Sequence, residues 1–158
     1  MAKREKTTLR FDSIQDALAY AEKLVALESE GKVKMTGGWS LGQNLSHLEK
    51  SIRMSIHGAK RPASVIVQFG AKLRKKAFLK NGLPAGIPLN NRLADLSPDN
   101  ISSEEALVKL QHAITDFHQA SSYAAHPIFG KLTHEETNAF HCRHMELHLS
   151  HAKIESQA

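Results

Sequence analysis

Cysteine is all but absent: Cys142 is the single one in 158 residues. That excludes an internal disulfide and any zinc knuckle built from thiolates, and a reducing, cytoplasmic compartment fits. Long hydrophobic runs are missing too. Apolar runs such as Val65-Ile66-Val67 are far too short to span a bilayer, so no membrane partner is expected. The basic start, MAKREKTTLRF, leads into no apolar segment, and no secretory signal is expected from it. Repeats and low-complexity segments are also lacking.

What is present describes one globular domain over residues 1–158, with 41% hydrophobic and 23% charged residues. The net charge of +5 raises the question of nucleic acid. The excess sits in the first six residues and in the run from Lys72 to Lys80, KLRKKAFLK, with the remainder close to balanced. A short basic run of this kind reads as a solvated helix face, so nucleic acid is not the expected partner.

Three starts of the form S/T-x-x-E/Q mark helices: Ser40 with Gln43, Ser102 with Glu105, and Thr133 with Glu136. Asp12 and Ser13 open a fourth, ahead of an apolar stripe of Ile14, Ala17, Leu18, Ala21, Leu24 and Val25. Gly31 to Gly38 ends that helix and turns the chain. Trp39 can then pack down as a staple before a helix striped by Leu41, Leu45, Leu48, Ile52 and Ile56. Beside that stripe lie Asn44, His47, Ser51, Met54 and Ser55, a face suited either to a wet pocket or to a solvent edge. From Gly58 to Pro98 the prolines 62, 84, 88 and 98 predict a crossover of irregular coil with a short helix. Leu107, Leu110, Ile114 and Phe117 stripe the next helix, with His112 on its solvated side and His118 at its margin. The whole reads as an all-α four-helix bundle with a long crossover between helices 2 and 3.

The last helix, expected over Thr133 to Lys153, carries His141, His144, His148 and His151 at steps of three, four and three. At about 100° per residue, these fall on one stripe. Phe140, Met145, Leu147 and Ala152 flank it, while Arg143, Glu146, Ser150 and Lys153 cluster opposite, so the histidines are expected to face inward. Buried imidazoles need partners. His144 and His148, one turn apart, form a metal half-site, and His47 is the histidine placed near the start of another helix to add a third ligand. The same spacing also fits an ordinary polar helix with packed histidines. Cys142 is expected to be a structural thiol, since nothing around it marks it as activated.

Two stretches resemble a known family. Trp39-Ser40-Leu41-Gly42-Gln43-Asn44-Leu45-Ser46-His47-Leu48 is similar to the start of helix two in DinB-like proteins, and His144-Met145-Glu146-Leu147-His148 to their last-helix pair. The connector His126-Pro127-Ile128-Phe129-Gly130 is similar to a branch of that superfamily formed by a domain of unknown function. The resemblance runs from about Phe11 to Lys153. It implies a four-helix bundle holding a divalent metal ion, zinc or nickel foremost, through His47, His144 and His148. His141 and His151 then surround the ligands, and Asn44 and Ser51 line the pocket. One departure is Leu147, where many members carry a second histidine. The implied activity is that of a metal-dependent transferase using a low-molecular-weight thiol, or a hydrolase, acting on a small-molecule substrate. The Lys72 to Lys80 run would then contact an acidic thiol, and a homodimer is a state the resemblance allows. The alternative is a non-enzymatic, metal-stabilised or partner-binding helical bundle.

Overall fold

Hydroxyl caps set where the helices begin. The structure, a computed structural model, describes residues 6–61, 63–87, 89 and 93–155. Pro62, Pro88 and the basic residues 1–5 lie outside the described ones. Helix α1 runs Ile14–Ser29 behind Ser13, whose hydroxyl accepts from the Asp16 amide. Helix α2, Leu41–His57, and α5, His134–Leu149, each open on a reciprocal capping box, Ser40 with Gln43 and Thr133 with Glu136. Helix α4, Ser103–Gln119, forms only half of the box expected for it. Ser102 accepts from the Glu105 amide, but the Glu105 carboxylate pairs instead with Lys109, 2.9 Å away and one turn on.

The apolar stripes meet in one core. Ile14 and Leu24 of α1, Leu45 and Ile52 of α2, Leu110 and Phe117 of α4, and Met145 and Leu149 of α5 are buried together. Each such side chain contributes about 1.5–3 kcal/mol by leaving water. Helix α2 lies along α4 over the longest stretch, α1 touches α4 and α5, and α5 also touches α2. The α2 contact is close because Gly42 has no Cβ; one there would collide with the Ile101 carbonyl. No helix among the described residues is long and apolar enough to cross a membrane.

Three expectations are corrected. First, the crossover is not a short helix in coil: it contains α3, Val65–Asn81, a helix of 17 residues. No residue of α3 is buried, so it leaves no core stripe to read in the sequence, and Ser64 makes no side-chain cap bond. Second, α5 stops at Leu149 rather than running on to Lys153. Ala152–Ile154 (β2) instead pairs antiparallel with Val33–Met35 (β1), matching Val33 with Ile154 and Met35 with Ala152. The chain is therefore mostly helical with a small two-stranded sheet. Third, the side of α5 opposite the histidines is not solvated, for Arg143, Glu146 and Ser150 are all buried. Glu146 accepts the Phe11 amide at 2.7 Å and pairs with Arg143 at 2.9 Å, while Arg143 donates to the Phe11 carbonyl at 2.5 Å. The segment leading into α1 covers that side and is tied down by the ion pair.

Candidate metal centre

The cap of α2 begins a chain of hydrogen bonds that ends in the site. Asn44, one turn in, gives its amide N–H to the Ser40 carbonyl at 2.8 Å. Its Oδ1 therefore faces the other way, 3.0 Å from His148 Nδ1. An amide oxygen only accepts, so His148 carries its proton on Nδ1 and keeps a lone pair on Nε2. His47 is set in the same manner: its Nδ1 lies 2.7 Å from the Leu96 carbonyl, which again leaves Nε2 unprotonated. That carbonyl closes a 3-10 turn, Ala94–Leu96, held against α2 by Lys50, which donates to Ser97 O and Asp99 at 2.7 Å each. Ser46 Oγ accepts the Asp99 amide from the same side. The end of the crossover thus orients a histidine on α2.

His144, from α5, completes the group. Its Nε2 lies 3.1 Å from His47 Nε2, and one ligand nitrogen from each of His47, His144 and His148 lies within 4.8 Å of the others. The His148 ring sits 4.5 Å from that of His47 and 4.7 Å from that of His144, centroid to centroid. Trp39 stacks on His148 at 5.7 Å and 8° and tilts against His47 at 5.2 Å. It therefore packs onto the imidazoles instead of serving as a plain helix staple.

All three imidazoles stay neutral at ordinary pH. Burial lowers the pKa of His144 well below 6.5, and the neighbouring histidines lower it further. His148 is also held well below 6.5, by burial and then by His47 and His151. His47 is lowered by burial, partly opposed by its bond to Leu96 and reinforced by the Lys50 charge. Two lone pairs with fixed tautomers, aimed into a buried space with a third imidazole, fit a divalent cation. His144 Nδ1 is buried without a hydrogen-bond partner among the described residues, so the outer support is complete for two rings of the three.

A cavity of about 190 Å³ reaches the three histidines. Ser51 and Ser55 line it from α2, Ala71 and Phe78 from α3, and His126 and Phe129 from the connector between α4 and α5. Ser51 is buried at this wall. Asn44 supports His148 rather than lining the cavity. His141 is packed between Phe117 and Phe140, and its Nε2 meets Ser55 Oγ at 2.8 Å instead of joining the three. Burial pushes its pKa down to about 3. His151 follows the end of α5 and is not on the helical stripe. Its ring lies against Gly37, where a Cβ would come within 3.2 Å of Nδ1, and its carbonyl accepts the Thr36 amide at 2.8 Å.

Outside the site, His118 meets Gln15 at 2.6 Å and His112 is exposed. Burial pushes the Cys142 thiol up to about 11, as befits an inert group. Sequence reasoning missed the parts played by Trp39, Ser55, His126 and the Leu96 carbonyl. Trp39 and His126 stood inside recognisable motifs, and Ser55 lay on the right helix face, but a main-chain oxygen leaves no mark in the sequence.

Fold and site together define a mostly helical protein with two buried histidines and a half-buried third gathered at the wall of an apolar cavity. The chain belongs to a family of proteins of unknown function, DUF1569, whose model matches residues 3–154. No curated protein and no solved structure matches it significantly.

Proposed function

We propose that this chain is a DinB-like, metal-dependent enzyme built on a four-helix bundle, α1, α2, α4 and α5, with α3 in the crossover. His47, His144 and His148 hold one divalent ion, zinc or nickel. The observation that carries this reading is the set tautomers: Leu96 and Asn44 fix the Nδ1 protons, so Nε2 lone pairs point into a shared buried space. Three protein ligands leave a coordination position open, the pattern of catalytic zinc sites rather than structural ones. When bound, the metal would supply Lewis-acid chemistry that makes a thiol or a water nucleophilic near neutral pH.

The chain's own side chains do the rest. The apolar walls exclude water from the substrate, and Ser51 and Ser55 offer hydroxyls beside the histidines. Trp39 closes the side of His47 and His148. A cavity that reaches the ligands supports transfer or hydrolysis on a small molecule, with a thiol transferase as the first chemistry to screen. The basic run Lys72 to Lys80 contributes no lining residue of positive charge, so an acidic thiol would meet it only outside the cavity.

A second reading, a metal-stabilised partner-binding protein, is supported by α3. Val65, Ile66, Phe69 and Leu73 are exposed on it, beside the basic run. Elemental analysis of protein purified without a histidine tag, beside His144→Ala/His148→Ala, tests the metal. The enzyme reading expects about one equivalent per chain, lost in the double variant, and turnover in thiol-transfer or hydrolysis screens. Metal bound without any exchangeable position, and unfolding on its removal, would favour the second reading. No metal in either protein, with reconstitution also failing, would sink both.

A further inference from the structure

His126 opens the connector between α4 and α5, and its ring is held from three sides. Its Nδ1 accepts the amide N–H groups of Ile128 and Phe129, both at 3.1 Å. Phe140 packs against it edge-on at 4.5 Å and Phe129 tilts against it at 5.0 Å. Paired main-chain bonds to Gly130, at 2.8 and 2.9 Å, close the loop, and Gly130 sits at a φ of 72° that favours glycine. A nitrogen accepting two N–H groups bears no proton, so the ring's proton is on Nε2. That atom has no hydrogen-bond partner among the described residues and is not sealed from solvent, and the residue lines the cavity. It is a donor with a fixed direction.

The walls around it say what it donates to. Apart from histidines, no described lining residue is ionisable at neutral pH, since lysine, arginine, aspartate and glutamate are all absent from them. A carboxylate or phosphate beside His126 would be buried with no countercharge among the described lining residues, at a cost. An uncharged acceptor oxygen would instead satisfy the N–H and leave the apolar walls to hold the remainder. Phe140, which touches His126, is also 5.3 Å from the His144 ring, centroid to centroid. One aromatic side chain therefore bridges the His126 ring and that of His144.

On the reading of the cavity as a substrate site, we propose that His126 Nε2–H binds the carbonyl oxygen of an uncharged, mainly apolar ketone, ester or amide. The ring remains a neutral donor across the physiological range, because burial pushes its pKa down to about 4. His126 is thereby the residue that selects a carbonyl-bearing substrate and sets its position in the cavity.

The test uses two probes of similar shape, benzylacetone and butylbenzene, of which only the first has a carbonyl. Binding is followed by NMR titration of the full chain, as wild type and as His126→Asn. The asparagine Oδ1 can still accept the two loop amides, while its own Nδ2 donors stop short of the position of Nε2–H. Wild type should prefer the ketone, and His126→Asn should weaken the ketone roughly fivefold while leaving the hydrocarbon unchanged. The preference should hold in titrations of wild type both with and without added zinc, so a failure of the metal reading leaves this result standing. Equal weakening of both probes, an unaffected ketone, or no binding of either to wild type would overturn the proposal. Should His126→Asn fail to fold, the imidazole nitrogen shifts of wild-type His126 decide. An Nε2–H signal that moves with the ketone and not the hydrocarbon supports the assignment, and an Nδ1–H tautomer overturns it.

Discussion

Helices α3 and α5 are nearly equal in length and opposite in fate. Helix α3 carries Val65, Ile66, Val67, Phe69 and Leu73, yet all five are exposed and its inner side, with Ala71 and Phe78, is only half-buried. Helix α5 carries four histidines and a run of charges, His134 to Leu149 containing His141, His144 and His148, yet it is buried on almost every side. Composition alone would have ranked them the other way round. The difference lies in partners. Most buried polar groups of α5 are matched: Arg143 and Glu146 with each other and with Phe11, His141 with Ser55, His144 with His47, His148 with Asn44, while Arg143 Nε and His144 Nδ1 have no hydrogen-bond partner among the described residues. Burial follows from satisfied hydrogen bonds as much as from apolar area.

Breaking the partnership should therefore hurt α5 far more than any change to α3. The largest effect is expected from Glu146→Ala, which leaves the Arg143 charge buried without its carboxylate and the Phe11 amide without an acceptor. Urea unfolding should show a loss of about 3–5 kcal/mol. Acid comes next. His126 and His141 are neutral in the fold, with pKa values of about 4 and about 3, whereas in the unfolded chain both take up a proton below about pH 6.5. The unfolded state then binds more protons, so stability is unaffected above that pH and falls as pH drops through the window. For His126 the loss is on the order of 3 kcal/mol by about pH 4, and it levels off below the folded value. Urea midpoints measured against pH check both the sign and the window.

Asn44→Ala removes the acceptor that sets the His148 tautomer while leaving all three ligands in place. Metal affinity should fall about 10–100-fold in a competition titration, with a smaller change in stability. The smallest effect is expected on the other side of the comparison. Phe69→Ser and Leu73→Ser on α3 should shift stability by no more than about 0.5 kcal/mol, despite replacing large apolar residues. A large loss from either would show that the outer face of α3, and not only the side that meets α5, packs against something in the folded protein.

The same contrast explains what the sequence could and could not reveal. Ser13, Ser40, Ser102 and Thr133 announce four helix starts because capping is local chemistry, settled within three residues. His47 and the His144–His148 pair could be singled out because they fall in two recognisable stretches, although they meet only through the packing of α2 on α5. The end of α5 was not legible. Ala152 continues the helical period, and only pairing with Val33–Met35, far away in the chain, makes Ala152–Ile154 a strand and takes His151 off the stripe. The burial of Arg143 and Glu146 was hidden for a similar reason, since their partner is the main chain of Phe11. Helix α3 gave no stripe because it has no buried face, and the Leu96 carbonyl is main chain, common to every residue. Contacts made by side chains close in sequence were readable; contacts with distant backbone were not.

The central claim is that His47, His144 and His148 form one metal site with an open position. Titration with cobalt(II), which absorbs visibly at imidazole sites, tests it most directly when wild type is compared with His47→Ala. The account predicts saturation at about one equivalent per chain, d–d bands of a four- or five-coordinate ion that shift when a small thiol is added, and loss of those bands in His47→Ala. Bands that survive unchanged in His47→Ala, or no binding to the wild type, would contradict it.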